Sequence, residues 1–151
     1  MFADSDHGHD KVSGWSITGI LCMVGSTPVL SWSKRQASVQ TSTFGAEFTA
    51  LKQAVEDTVM IRYHLCSMGV KVTCASKIYV DNMAVVLNAS NPASTLKKKH
   101  IALAYHYMRE HVANKIVKIY KIDSKDNHAD EFTKGLNSSE HGDFYHEVLC
   151  N

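Results

Sequence analysis

Four acidic residues occupy positions where a carboxylate is costly without a reason. Asp4 falls inside an expected strand, Glu47 in the first turns of an expected long helix, Asp81 at the C-terminal end of a strand and Asp130 at the start of a helix. Strand interiors disfavour Asp, and the C-terminal edge of a strand is where open α/β sheets tend to place ligands. Taken singly, each acid reads as a solvated surface residue or a cap. Glu47 is the weakest alone, because the helix macrodipole already favours an acid near a helix N-terminus. Their joint occurrence on successive elements is what suggests a shared site. Carboxylates are the oxygen donors that a hard cation such as magnesium prefers, and four of them gathered without a cation would repel one another.

Other residue types with chemical potential are less persuasive. The nine histidines include His7 and His9 in a polar loop with Asp10, a spacing that matches no zinc pattern, so they read as surface residues. His106, Glu110 and His111 form H-x-x-x-E-H, which is neither H-E-x-x-H nor H-x-x-E-H. His128, two residues before Asp130, stands where it would assist proton transfer, and loop polarity explains it equally well. The four cysteines, Cys22, Cys66, Cys74 and Cys150, contain no C-x-x-C pair and read as reduced, mostly buried thiols in a non-oxidising compartment. Trp15 and Trp32 read as core or sheet surface rather than base-stacking platforms.

The elements that must position the acids follow from periodicity. Residues 2–6 read as a short strand, 7–13 as a polar loop, and 14–24 and 29–34 as a hairpin turning at Gly25-Ser26-Thr27-Pro28. After the hydroxyls of Thr41, Ser42 and Thr43, which offer N-caps, Phe48, Leu51, Val55, Val59 and Tyr63 recur at helical spacing until Gly69. Residues 77–81 read as a strand, 84–88 as a short helix, 98–114 as a second long helix and 116–122 as a half-exposed strand. The tail from Asn127 reads as two short helices separated near residues 135–139. Three hairpin-linked strands followed by strands alternating with helices imply a mixed sheet with helices packed on it.

The chain has 151 residues, 44% hydrophobic and 21% charged, as one globular domain over residues 1–151 would have. The formal net charge of +1 means that any polyanion must be held by a local basic face. No apolar run approaches the roughly 20 residues of a membrane helix, and the N-terminus lacks a signal-peptide pattern. The protein is therefore expected to be soluble and not secreted.

The surroundings of the acids resemble a known family, the ribonuclease H domain of copia-like (Pseudoviridae-type) retrotransposon reverse transcriptase polyproteins. Phe2-Ala3-Asp4-Ser5-Asp6 resembles its aromatic-small-Asp-Ala-Asp opening, Ser31-Trp32-Ser33-Lys34-Arg35-Gln36 its S-W-x-S-K-K-Q strand, and Ala46-Glu47-Phe48-Thr49-Ala50-Leu51 its A-E-Y-x-A-L helix start. Ile78-Tyr79-Val80-Asp81-Asn82 is similar to I-Y-x-D-N. Lys99-His100-Ile101 with Tyr105 to Glu110 is similar to K-H-I-x-x-x-Y-H-x-x-R-E, and Ala129 to Lys134 to A-D-x-x-T-K. All of these blocks occur in the family's order.

The resemblance implies an α/β fold of ribonuclease H type, a five-stranded mixed sheet with three antiparallel and two parallel strands, flanked by helices. It also implies that Asp4, Glu47, Asp81 and Asp130 are catalytic acids holding two Mg2+ ions, with Mn2+ as a substitute. Two hard cations roughly 3.5–4 Å apart generate a nucleophilic water and relieve charge on the leaving oxygen. The implied reaction is cleavage of the RNA strand of RNA–DNA hybrids to 5′-phosphate and 3′-hydroxyl ends, with Asp81 bridging and Asp130 the most exchangeable ligand. Implied partners are the hybrid and the polymerase domain of the same polyprotein, in a cytoplasmic particle or the nucleus. A hybrid would be read through 2′-hydroxyls and phosphates. Candidates for that contact are Asn82, which reads equally as a helix N-cap, and Lys34, Arg35, Gln36, Ser42, Thr43, Lys98, Lys99 and His100, which read otherwise as solvated residues or caps.

The sequence departs from the family where Gly45 replaces the auxiliary acid before Glu47 and where Ala102 replaces the acid of K-H-I-[DE]. With Asp4 so near Met1, the first strand is expected to be short. The rival enzyme is an integrase- or transposase-type nuclease, which places its last acid as Glu on a late helix. The rival of another class is a catalytically silent or domesticated fragment that binds nucleic acid or serves as a structural module.

Overall fold

The computed structural model describes residues 1–9, 12–91, 102–134 and 142. The chain forms β1 (Phe2–Asp6), β2 (Ile17–Val24), β3 (Thr27–Arg35), α1 (Thr43–Ser67), β4 (Ser76–Val80), α2 (Met83–Ser90), α3 (Ala102–Ala113) and β5 (Val117–Lys121). Two 3-10 turns, Ser124–Asp126 and Asp130–Phe132, follow.

The five strands make one sheet in the order β3-β2-β1-β4-β5. β2 pairs antiparallel with both β1 and β3, while β4 pairs parallel with both β1 and β5. This is the mixed sheet expected from the element order. β1 is short but central, and its lower end is secured by main-chain bonds from the Met1 amino group to Lys77 O and from Tyr79 N to Met1 O, each 2.9 Å.

Several boundaries differ from the sequence reading for physical reasons. β3 begins at Thr27 because Val24 pairs with Thr27 across a two-residue turn, Gly25-Ser26, in which Gly25 has φ +64. Pro28 is tolerated because β3 is an edge strand. Residues 14–16 are not strand, since β1 offers no pairing partner beyond Asp6↔Ile17. The apolar stripe of α1 ends earlier than expected, for Tyr63 is 71% exposed. A 25-residue helix is about 37 Å long, whereas strands of five to nine residues span about 17–30 Å, so its last turns overhang the sheet. The cysteine reading also needs correction. Cys22 is buried, but Cys66 and Cys74 are exposed on that overhang and the loop after it; Cys150 lies outside the described residues, as does most of the expected helical tail.

One face of the sheet carries the core. Ala3, Ile20, Ile78, Val80, Val117 and Ile119 pack against Phe48, Leu51 and Val55 of α1, Val85 of α2 and Tyr105 and Met108 of α3. By strand alternation Phe2, Asp4 and Asp6 project to the other face. There Phe2 stacks on Tyr79 and Tyr79 on Tyr120, and His128 meets the Phe2 ring edge-on at 4.8 Å. Among the described residues no helix is long and apolar enough to cross a membrane.

Candidate active site

Each acid is positioned by a different element. Asp4 sits on the central strand, 7% exposed, opposite Gly19 of β2. Its carbonyl neighbour, Ala3 O, accepts from the buried Asn127 side-chain amide at 3.2 Å, while Asn127 Oδ1 accepts from Ala129 N at 3.3 Å. Asn127 thereby ties the Asp130 turn to the strand that carries Asp4. The turn lies so close to β2 that a Cβ on Gly19 would meet Ala129 O at 2.6 Å and Phe132 Cβ and Thr133 Cγ2 at 2.9 Å. No side chain fits there.

Glu47 lies in the opening turns of α1, whose N-cap is Ser42: Ser42 Oγ accepts from Gly45 N at 3.2 Å. The buried Gln36 amide reaches from the end of β3 to Thr18 Oγ1 and Ala46 O, both at 2.9 Å, fixing that first turn against β2. Asp81 follows the last residue of β4 and accepts from Ser124 Oγ at 2.8 Å. Asn82 caps α2, its Oδ1 accepting from Ala84 N at 2.8 Å and Val85 N at 3.4 Å. Asp130 opens its 3-10 turn and pairs with Lys134 Nζ at 2.6 Å.

The electrostatics show that the acids share one region. Burial pushes the Asp4 carboxyl up to about 6, opposed by the Thr133 hydroxyl and assisted by the charges of Asp81 and Asp130. Burial likewise pushes Glu47 up to about 7, opposed by a hydrogen bond from Asn82 and assisted by Asp81 and Asp4. Glu47 Oε2 is buried with no hydrogen-bond partner. A desolvated carboxylate oxygen left bare among other acids fits a cation, and the donor set is all oxygen, as magnesium prefers. Among the described residues no three acids, histidines or cysteines converge closely enough to form a finished metal cluster.

The other expected contacts divide. Lys34 and Arg35 end β3 at the edge of the sheet, at the same end as Asp4, and Arg35 lies over the Trp15 ring at 4.8 Å. Ser42 and Thr43 open α1 near Glu47, and Asn82 stands beside Asp81 with its oxygen committed to capping. Lys98, Lys99 and His100 lie outside the described residues. The sequence reading missed Gly19 and Asn127, and it grouped Gln36 with Lys34 and Arg35 as a phosphate contact, whereas Gln36 is buried and braces the first turn of α1. Their signal is a contact between distant elements, which spacing does not carry.

No protein-family model matches this sequence. Over 147 residues, 97% of this chain, it is 27% identical to the retrovirus-related Pol polyprotein from transposon RE1 of Arabidopsis thaliana. Over 134 residues, 88% of this chain, it is 30% identical to the retrovirus-related Pol polyprotein from transposon TNT 1-94 of Nicotiana tabacum. The chain spans 10% of the length of each of these relatives. Among solved structures it superposes on an LC11-RNase H1 crystallised with an RNA/DNA hybrid, with TM-score 0.66 and 16% identity over 86% of this chain and 89% of that one. This is a ribonuclease H fold, in a chain whose homologues are retrovirus-related Pol polyproteins of copia-like transposons. The N-terminal RNase H domain of rv2228c from Mycobacterium tuberculosis agrees, with TM-score 0.63 and 16% identity over 87% of each chain. The ribonuclease H fold also matches 20% of the prototype foamy virus protease-reverse transcriptase, at TM-score 0.53 and 10% identity over 99% of this chain.

Proposed function

We propose that this ribonuclease H fold hydrolyses the RNA strand of RNA–DNA hybrids, with Asp4, Glu47, Asp81 and Asp130 holding two magnesium ions. The observation that carries the reading is the bare, buried Glu47 Oε2 within a field of acids drawn from four separate elements. The fold it shares with a ribonuclease H1 solved on a hybrid supports the substrate class.

When bound, the ions supply a nucleophile at neutral pH and charge relief at the leaving 3′-oxygen, giving 5′-phosphate and 3′-hydroxyl ends. The chain's own part is to bring the acids together and keep them poorly solvated. A bound cation would favour the ionised forms of Asp4 and Glu47, offsetting the burial that raises both carboxyls. Asn82 steadies Glu47 and, through its cap, the start of α2 beside Asp81. Lys34 and Arg35 stand where they would meet backbone phosphates, at the acid end of the sheet edge. The hybrid and the polymerase-bearing remainder of a longer polyprotein are the partners in this reading.

An end-labelled RNA–DNA hybrid incubated with magnesium tests it. Wild type is expected to cleave the RNA strand, and Asp81→Asn to lower the rate more than about 100-fold, beyond what loss of a supporting group costs. Hybrid binding without cleavage, or cleavage unaffected by Asp81→Asn, would favour a silent binding module instead.

A further inference from the structure

We infer that Lys134 is a tethered counter-cation for the acid site, seated on Asp130 in the cation-free protein and displaced when a divalent ion enters. The inference rests on the reading of the four acids as a magnesium site and adds a control on how readily that site fills.

Lys134 Nζ lies 2.6 Å from Asp130 Oδ2, and the lysine side chain is 61% exposed against 25% for the aspartate. The ammonium therefore stands on the solvent side of the carboxylate, the side from which an ion arrives. Among the described residues it is the one lysine or arginine ion-paired with any of the four acids.

The preceding residue acts in parallel. Thr133 Oγ1 lies 2.5 Å from Asp4 Oδ2 and 2.9 Å from Asp130 O. A hydroxyl has one proton, and the short contact to a charged acceptor takes it. Two consecutive residues of one turn thus each occupy an Oδ2 of a different acid. The turn cannot drift away, since Thr133 is 2% exposed, its backbone docks on Gly19 and Asn127 ties it to Ala3. The lysine differs, for its exposed four-carbon stem can swing out while the turn stays fixed. Incoming divalent charge competes with a single exposed ammonium whose pair is worth little in water.

Calorimetric titration of the catalytically untreated whole chain with Mg2+ separates the possibilities, because it reads binding rather than turnover. Lys134→Gln is expected to bind Mg2+ roughly twofold to fivefold more tightly than wild type, the scale set by an exposed ion pair. Lys134→Arg, which keeps the charge, should bind like wild type, and the Mg2+-induced rise in Tm should be larger in Lys134→Gln than in either. Equal or weaker Mg2+ binding by Lys134→Gln overturns the counter-cation role. If wild-type binding is lost in Asp81→Asn while Lys134→Gln matches wild type, only that role fails; if no variant binds Mg2+, the magnesium site fails with it.

Discussion

Glu47 concentrates the conflict in this molecule into one side chain. Its carboxyl is buried enough to be pushed up to about 7, and Oε2 has no hydrogen-bond partner. Folding without a cation therefore carries the cost of a desolvated acid beside Asp81 and Asp4. Glu47→Gln keeps the shape and removes the charge. In the absence of divalent ions at pH 8, chemical denaturation should show the variant about 1 kcal/mol more stable than wild type, while hybrid cleavage falls sharply. A less stable variant would mean that Glu47 is solvated rather than stranded. Apart from the family resemblance around it, the position of this residue shows one acid near a helix N-terminus, where a dipole partner looks the same as a metal ligand. Burial and the coupling to Asp4 and Asp81 tell them apart, and neither can be read from local spacing. Asn82 was ambiguous for a related reason: an Asn after a strand suits a cap and a substrate donor alike, and only the contacts of Oδ1 to Ala84 N and Val85 N show the cap.

Among the elements, strand order and helix order were legible because hydrophobic periodicity and turn residues report them directly. The β1 to β5 sequence, the long α1 and the end of β4 just before Asp81 all follow from such patterns. The docking of the Asp130 turn was not legible. It depends on Gly19, a residue that a strand pattern treats as a weak point, and on Asn127, which looks like loop polarity. Gly19 is needed because the turn backbone passes where a methyl group would lie, with Ala129 O at 2.6 Å. Gly19→Ala must push that turn off the sheet, since a carbonyl cannot rotate out of the way as a side-chain tip can. A loss of about 1–3 kcal/mol is expected, with a fall in hybrid cleavage, because Asp130 and the Thr133 contact to Asp4 move together. Thermal melts and cleavage rates on the same preparation check both. An unchanged Tm would show that the turn docks elsewhere.

Across the whole molecule, a formal net charge of +1 conceals an uneven distribution, with four acids gathered at one end of the sheet and Lys34 and Arg35 at its edge. That distribution makes stability depend on pH in a direction opposite to that of a protein whose carboxylates are well paired. Asp4 rises from 3.8 to about 6 on folding and Glu47 from 4.5 to about 7. Below about pH 4 both groups are protonated in folded and unfolded chains, and neither opposes folding. Between pH 4 and 7 the folded chain holds protons that the unfolded chain has released, so stability from these two groups falls as pH rises. Above pH 7 both are ionised in both states, and the full repulsion is carried by the folded form. Without divalent ions, Tm should therefore drop by about 5 °C between pH 5 and pH 8. Saturating Mg2+ should recover most of that loss at pH 8 and little at pH 5, where protons already occupy the carboxyls. Differential scanning calorimetry at both pH values, with and without Mg2+, reads all four quantities. A Tm that rises across this window without Mg2+, or a Mg2+ effect as large at pH 5 as at pH 8, would show that the acids do not form one buried, cation-seeking cluster.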